Sequence, residues 1–545
     1  MHKERALSNP ATHWPRFSTA TPVEQDVTPQ RSSLPARLRQ LIAARQHATH
    51  DYILTRWLFL RLLGVVYLAA FASLWPQIPG LIGRNGILPA GEFLASVWAP
   101  TEAQRFLLVP TLAWLNPSDG FLLFMCGAGI VLSLLLIVGI LPIPVLSLLW
   151  ALYLSLFSVG QVFLGYQWDV LLLETGFLAI FFAPLQVLPG VPREAPPSRT
   201  VLWLFRLLVF RLMFFSGVVK VASGDPTWRD LTALSYHYET QPLPTPLAWY
   251  AHQLPLWFHT LSSAMMFLIE LLVPFLIFAP RRPRMVGAGL LAGLQILIML
   301  TGNYAFFNLL SIVLCVLLLD DTFLRRFVPL RLGNRLTDPD RPAQAPRMRR
   351  LVAVPLATLI LFLSVVQVTY RYIPGVAVPR PALEVAQQLA PFHIVNSYGL
   401  FAVMTTSRPE IIVEGSNDGK TWLAYEFEYK AGDIQKAPTW VAPHQPRLDW
   451  QMWFAALTPP WQGQLSYGWF DAFMLRLLQG SPEVLALLAS NPFPDAPPRY
   501  IRAQLYNYHY TTGDNANGAW WQRELQGMYF PPTTLRDRRW QRELP

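Results

Sequence analysis

His237, Glu239 and Gln241 stand on alternate positions of the stretch TWRDLTALSYHYETQPLP, Thr227–Pro244, and Lys220 closes the apolar run just before it. A lysine held in a partly dry pocket has a lowered pKa and acts as a base, and a neighbouring imidazole and carboxylate can orient it or pass on its proton. Lys220, His237 and Glu239 are therefore the candidate catalytic group. His237 and Glu239 project together only from an extended segment, and prolines at 242, 244 and 246 favour an extended exit. No second histidine stands at helical metal-ligand spacing, and His252 and His259 are loosely placed, so neither a metal nor a cofactor is expected. Trp228, Tyr236 and Tyr238 also suit an interfacial aromatic belt.

The elements that position these residues are read from hydropathy. The 545 residues have a mean hydropathy of +0.31, with 53% hydrophobic and only 14% charged. Soluble chains of this size carry nearer a quarter charged residues, so this is a polytopic membrane protein with a soluble portion. About nine spans are expected, near 57–75, 121–140, 143–160, 168–187, 201–221, 257–279, 285–301, 304–320 and 351–371, with Phe106–Leu115 re-entrant or interfacial. Residues 1–50 are polar and lack a signal peptide's apolar core, which predicts a disordered cytoplasmic tail. Cys126 and Cys315 fall inside apolar runs and read as core residues.

The net charge of +10 belongs to topology, because arginines bunch in loops beside the spans. No zinc-finger or RNP-like motif supports nucleic-acid binding. With the N-terminus cytoplasmic, the basic loops around 193–199, Arg281–Arg284 and Arg325–Arg350 all count as inside. Loops 76–120, 161–168 and 222–256, the turn at Gly302–Asn303 and everything after Tyr372 then lie outside. The excess of arginine over lysine suits a GC-rich bacterium, so the expected home is a bacterial inner membrane with a periplasmic C-terminal domain.

Ionisable residues inside spans are costly and look for partners. Arg211 and Glu270 fall at similar depth and are expected to pair, with Glu174 near Lys220 or Arg211. Residues from separate motifs count to one outer face: Asn85, Trp168, Asp169, Glu174, Trp228, Tyr238, Gln241, Asn303, Tyr304 and Asn308, together with His237 and Glu239. Gathered there, they suggest a shared polar pocket for a membrane lipid or a protein client.

From about residue 373 long apolar runs stop. EIIVEGSNDGKTWLAYEFEYK alternates around Asn417-Asp418-Gly419-Lys420 and predicts a β-hairpin, and the run from Arg499 alternates again. LDWQMWFAAL and Phe470–Leu488 read as helices. The expected architecture is an α-helical membrane domain, 51–372, then a β-rich, sandwich-like extracytoplasmic domain, 373–545, with helical insertions. In PHQPRLDWQMWFAA, Arg447 either pairs locally with Asp449 or docks the domain on the membrane part. No G-x-S-x-G elbow is present, which argues against a lipase.

The run FFSGVVK through WRDLTALSYHYETQPLP to WYAHQLP resembles the signature of the lipase maturation factor family. GLIGRNGILPA, QWDVLLLETGFLAIFFAP, LTGNYAFFNLLS, VNSYGLFAVMTTSRPEIIVEGSNDGKTW and PHQPRLDWQMWFAAL are similar to the family's other segments, from about residue 53 to 530. The resemblance implies a multi-pass protein, in the ER membrane of animals, that assists dimeric lipases to their active form, and hence a protein client. A shorter resemblance, FFSGVVK followed by a tryptophan, is to the vitamin K-dependent gamma-carboxylase and its bacterial membrane relatives. It implies a base at Lys220, hence a membrane enzyme acting on a lipid, quinone or peptide.

Overall fold

Helix α1, Ile53–Leu74, begins where a distant carboxylate receives it. Asp321 Oδ2 accepts from the amides of Ile53 and Leu54 at 2.9 and 3.0 Å, and Oδ1 from the Thr55 amide at 2.9 Å. A helix start leaves N–H groups without intrahelical partners, and inside a bilayer water cannot satisfy them. The computed structural model describes residues 52–97, 101–188, 196–327, 347–373, 375–458, 468–513 and 518–537; the expected tail 1–50 lies outside them.

The bundle continues with α2 (Asp119–Val138), α3 (Pro142–Val159), α4 (Gln167–Phe182), α5 (Arg199–Ala222), the short α6 (Ala233–Thr240), α7 (Leu256–Leu271), α8 (Arg281–Thr301), α9 (Phe307–Val316) and α10 (Arg347–Tyr372). A left-handed Gly139 closes α2, and Pro274 turns the end of α7 into a 3-10 segment, Val273–Phe278. On α2, Phe124, Val131, Leu134 and Val138 are exposed.

Among the described residues seven helices are long and apolar enough to cross a membrane, or eight if a bent pair counts as one. Two of the nine expected spans differ. The 168–187 run is the 16-residue α4, short of the ~20 residues a bilayer needs, and almost wholly enclosed by its neighbours. The 304–320 run is α9, followed after a break by Asp321–Phe327 at a 102° bend. Asp321 turns there to cap α1. Phe106–Leu115 forms a short helix, Glu102–Leu108, and a 3-10 turn, Leu112–Trp114. Phe106, Leu107, Leu108 and Leu115 are exposed, as an interfacial segment requires.

The C-terminal part is a small antiparallel sheet region with helices. Strands β1 (Arg408–Ser416), β2 (Leu423–Ala424), β5 (Tyr500–Tyr510) and β6 (Trp521–Thr533) form one sheet in the order β2-β1-β5-β6. Strands β3 (Glu426–Phe427) and β4 (Leu488–Ser490) form a two-stranded ribbon. The hairpin stands where alternation placed it, with Gly415 opposite Leu423. Asp418 takes the amides of Lys420 and Thr421, both at 2.8 Å, and Gly419 supplies the left-handed residue. Those bonds hold the Asp418 carboxyl down to about 2. Helices α11 (Arg447–Ala456) and α12 (Gly468–Gln479) lie between β3 and β4 in the chain.

One hydrophobic cluster runs without a break from α1–α4 into this region. Trp168 of α4 stacks on Tyr166 at 4.8 Å and meets Trp450 of α11 edge-on, also at 4.8 Å. Close approach in the bundle depends on glycine. A β-carbon at Gly176 would lie 1.9 Å from the Tyr67 hydroxyl, which is buried without a hydrogen bond. Gly176→Ala is therefore expected to cost about 1–3 kcal/mol by overpacking, despite alanine's better helix propensity. Adding Tyr67→Phe, which removes the obstructing oxygen, should recover most of the loss in thermal unfolding of the detergent-purified protein.

Candidate functional site

Many of the residues expected at one outer face contact the chain's own C-terminal part. At the centre Arg447, the first residue of α11, reaches Asp169 in the first turn of α4. Its Nη2 and Nη1 donate to Asp169 Oδ1 and Oδ2 at 2.8 and 3.0 Å. Nη1 also donates to the Phe163 carbonyl at 2.6 Å, and the Tyr153 hydroxyl donates to Asp169. Arg447 and Asp169 are fully buried. Burial pulls the guanidinium pKa down, yet the facing carboxylate outweighs it and the net shift is upward. Of the two roles open to Arg447, docking is the one observed. Asp449 instead accepts the amides of Tyr429 and Lys430 at 2.8 and 2.9 Å, and burial raises its carboxyl to about 6 against the pull of those bonds.

Around this pair the contacts repeat. Trp168 Nε1 donates to the Gln445 side chain, and Gln77 Nε2 to the Gln445 carbonyl at 2.8 Å. Asn303 donates to the Thr439 carbonyl at 2.8 Å and accepts from the amides of Val441 and Ala442 at 2.8 and 3.0 Å. Trp228 Nε1 donates to the Phe401 carbonyl at 2.9 Å. Asn85 donates to Glu483 at 3.1 Å. The four loops expected outside thus share one face, against the C-terminal part. Asn308 is the exception, donating to Gln295 of α8 at 2.9 Å inside the bundle.

The Thr227–Pro244 stretch is helical at its centre, and this separates His237 from Glu239. On α6, His237 and Glu239 point different ways. The His237 imidazole lies 3.2 Å from the Tyr304 hydroxyl, which donates to Gln241 at 2.8 Å. Glu239 accepts the Tyr510 amide at 2.6 Å and meets His509 Nδ1 at 3.3 Å. The Tyr238 carbonyl lies 3.3 Å from the Tyr510 hydroxyl. The carbonyls of Glu239, Gln241 and Pro242, left over where α6 ends, all accept from the buried Arg408. Arg408 is neutralised by Glu410 at 2.8 Å, which also holds Lys430 at 3.0 Å. Spent helix-end carbonyls meeting a guanidinium is what a buried C-terminus needs.

The expected Arg211–Glu270 pair does not form. Arg211 pairs with Glu174 at 2.7 Å and Lys220 with Glu270 at 2.8 Å. Depth along α5 is similar for several partners, but direction is not: Arg211 and Lys220 lie about two and a half turns apart, hence on opposite faces. Glu174 also accepts the Asn396 amide at 2.8 Å and the Tyr398 hydroxyl at 2.7 Å. Lys220 donates to the Ser216 carbonyl at 3.0 Å, with its ammonium 5.5 Å from the centre of the Trp228 ring. Lys220, His237 and Glu239 thus have separate protein partners. Among the described residues no group of three or more His, Cys, Asp or Glu is arranged for a metal ion.

Residues 54–326 match the family model described as the lipase maturation factor transmembrane domain, and residues 394–531 match its C-terminal domain. The chain belongs to the lipase maturation factor family. It is 39% identical to lipase maturation factor 2 of Gallus gallus over 591 residues, covering 88% of this chain and 82% of that protein. Lipase maturation factor 2 of Homo sapiens is 39% identical, with 89% and 83% covered. Lipase maturation factor 1 of Mus musculus is 37% identical, with 91% and 89% covered. No solved structure matches.

For a lipase maturation factor family member, the segments first noticed as chemistry are those that join its two matched regions. Arg408, Gln445, Asn396 and Tyr398 went unassigned in the sequence, although each lies in or beside a family segment. The available signal was arginine placed within otherwise apolar or proline-rich runs. Asp169→Ala leaves the Arg447 guanidinium buried and unpaired, an expected cost of about 3–5 kcal/mol. Asp169→Leu with Arg447→Met should recover most of it, read by thermal unfolding and protease release of the C-terminal part. Burial, reinforced by Lys220, lowers His237 from 6.5 to about 4. Between those values the unfolded chain binds the proton and the folded chain does not, so acid favours unfolding there. The loss of stability from pH 7 to 4 should be smaller in His237→Asn, measured as Tm against pH.

Proposed function

We propose that this chain is a membrane-held maturation factor for exported or membrane proteins, lipases among them. In this reading residues 51–372 anchor it in a bacterial inner membrane with the N-terminus cytoplasmic. Residues 373–545 form a periplasmic, sandwich-like platform that contacts the client. The observation that carries the reading is the occupation of the outer face. Arg447, Gln445, Asn303 and Arg408 join the C-terminal part to the helices through fully buried polar contacts. A membrane enzyme would need that face open to substrate, whereas a folding factor needs its platform held still. The names of the relatives point the same way, toward lipase clients.

The test is a host that secretes a dimeric lipase and lacks its own family member. The intact chain should raise lipase activity per unit of lipase protein. Arg447→Ala should return it to background while the chain still inserts. Replacing the pair Lys220→Met and Glu270→Leu together, which keeps the interior neutral, should leave the effect in place. Loss of the effect in that stably folded variant would favour the alternative, an enzyme using Lys220 with His237 and Glu239.

A further inference from the structure

At the opposite end of the bundle, two buried arginines converge with no acid between them among the described residues. Arg206, near the start of α5, donates from Nη2 to the Tyr52 hydroxyl at 2.9 Å. Arg284, in the first turn of α8, donates from Nη2 to the same oxygen at 3.0 Å, and from Nε to the Leu318 carbonyl at 3.0 Å. Arg206 is 6% exposed and Arg284 7%, and Arg206 Nε is buried without a hydrogen-bond partner.

The described carboxylates of this region are committed elsewhere. Asp320 is held by Arg281. Asp321 is spent on the amides that open α1. No ion pair involving Arg206 or Arg284 forms among the described residues. A phenol oxygen satisfies hydrogen bonds but carries no charge, so it leaves two like charges enclosed together. An enclosed charge without a counter-ion costs several kcal/mol, roughly, and intramembrane arginines are ordinarily neutralised.

The surroundings indicate where a counter-ion enters. The Arg206 guanidinium lies 5.2 Å from the ring of Trp203, and Trp203 stacks on Phe278 at 5.7 Å with planes 4° apart. Trp203 and Phe278 are exposed, at 48% and 39%. They stand at the ends of helices that span the membrane, the level where tryptophan sits among lipid headgroups. Arginine's planar fork suits phosphate oxygens, and two such forks present several donors to one phosphate group.

We propose that Arg206 and Arg284, with Tyr52 between them and the Trp203–Phe278 pair at the mouth, bind a phosphate group carried by an anionic phospholipid. The site lies on the arginine-rich face, away from the C-terminal part, and is separate from the maturation role. The lipid neutralises the two guanidinium groups and ties α5 and α8 to the bilayer surface at that end.

The experiment uses the full chain in neutral detergent, stripped of lipid, with phosphatidylglycerol, phosphatidylcholine or inorganic phosphate added back. Thermal midpoint and native mass spectrometry of retained lipid are read together. Phosphatidylglycerol is expected to raise the midpoint and to be retained over phosphatidylcholine by about fivefold per arginine. Arg206→Met should lose about fivefold of that preference, and R206M/R284M the remainder, while the exposed neighbour variant Arg282→Gln keeps it. Equal effects of the two lipids, or an undiminished preference in Arg206→Met, would overturn the proposal. A shift reproduced in full by inorganic phosphate would assign the site to the free anion and overturn the lipid assignment. If R206M/R284M fails to fold, Arg206→Met alone decides, because removing one of two like charges should not destabilise the stripped protein.

Discussion

The structure depends on one buried ion pair. Arg447 and Asp169 join a helix of the C-terminal part to the first turn of a membrane helix, with the Phe163 carbonyl and the Tyr153 hydroxyl drawn in. Such a pair adds little net stability over an apolar contact, because desolvation offsets the Coulomb gain. What it supplies is exclusivity. Asp169 cannot remain in the interior without a cation, and Arg447 cannot remain without an anion. Only the docking that brings them together satisfies both, and it sets the positions of Trp168 against Trp450 and of Gln77 against Gln445.

The same rule is applied at the other contacts on that face. Arg408 collects carbonyls that the end of α6 cannot use, and Asn303 both donates to and accepts from the segment 439–442 that passes it. Each interaction converts a local surplus of donors or acceptors into a demand for one long-range partner. Of the candidate catalytic residues, Glu239 takes part in such a contact through the Tyr510 amide, whereas Lys220 pairs with Glu270 inside the bundle.

Much of this was legible in the sequence, within definite limits. Hydropathy places the helices because a bilayer admits few alternatives, and it overcounts where a helix is apolar for another reason. In α4, leucines face other helices rather than lipid. Alternation finds the hairpin at Asn417-Asp418-Gly419-Lys420 because turn chemistry is local. The arginine count brings loops 76–120, 161–168 and 222–256 to one face, and the contacts agree. The pairing of Arg211 failed because depth in a membrane is a single coordinate. Rotation about the helix axis is the second, and it follows from packing, which no single stretch records. The joint projection expected of His237 and Glu239 fails similarly: their spacing suits a strand, but the segment is a helix. The prolines at 242, 244 and 246 extend the chain only after α6 has ended.

The two acids of α4 differ in when they can be satisfied. Glu174 waits 37 residues for Arg211, which arrives with the next long helix. Asp169 waits 278 residues for Arg447. At ordinary rates of synthesis that interval is on the order of tens of seconds. During it a short helix carries an unneutralised carboxylate at the membrane surface. The bundle must therefore be held open or shielded at that end until the last third of the chain has been made, and biogenesis acquires a fixed order in which the final step closes the protein at that end.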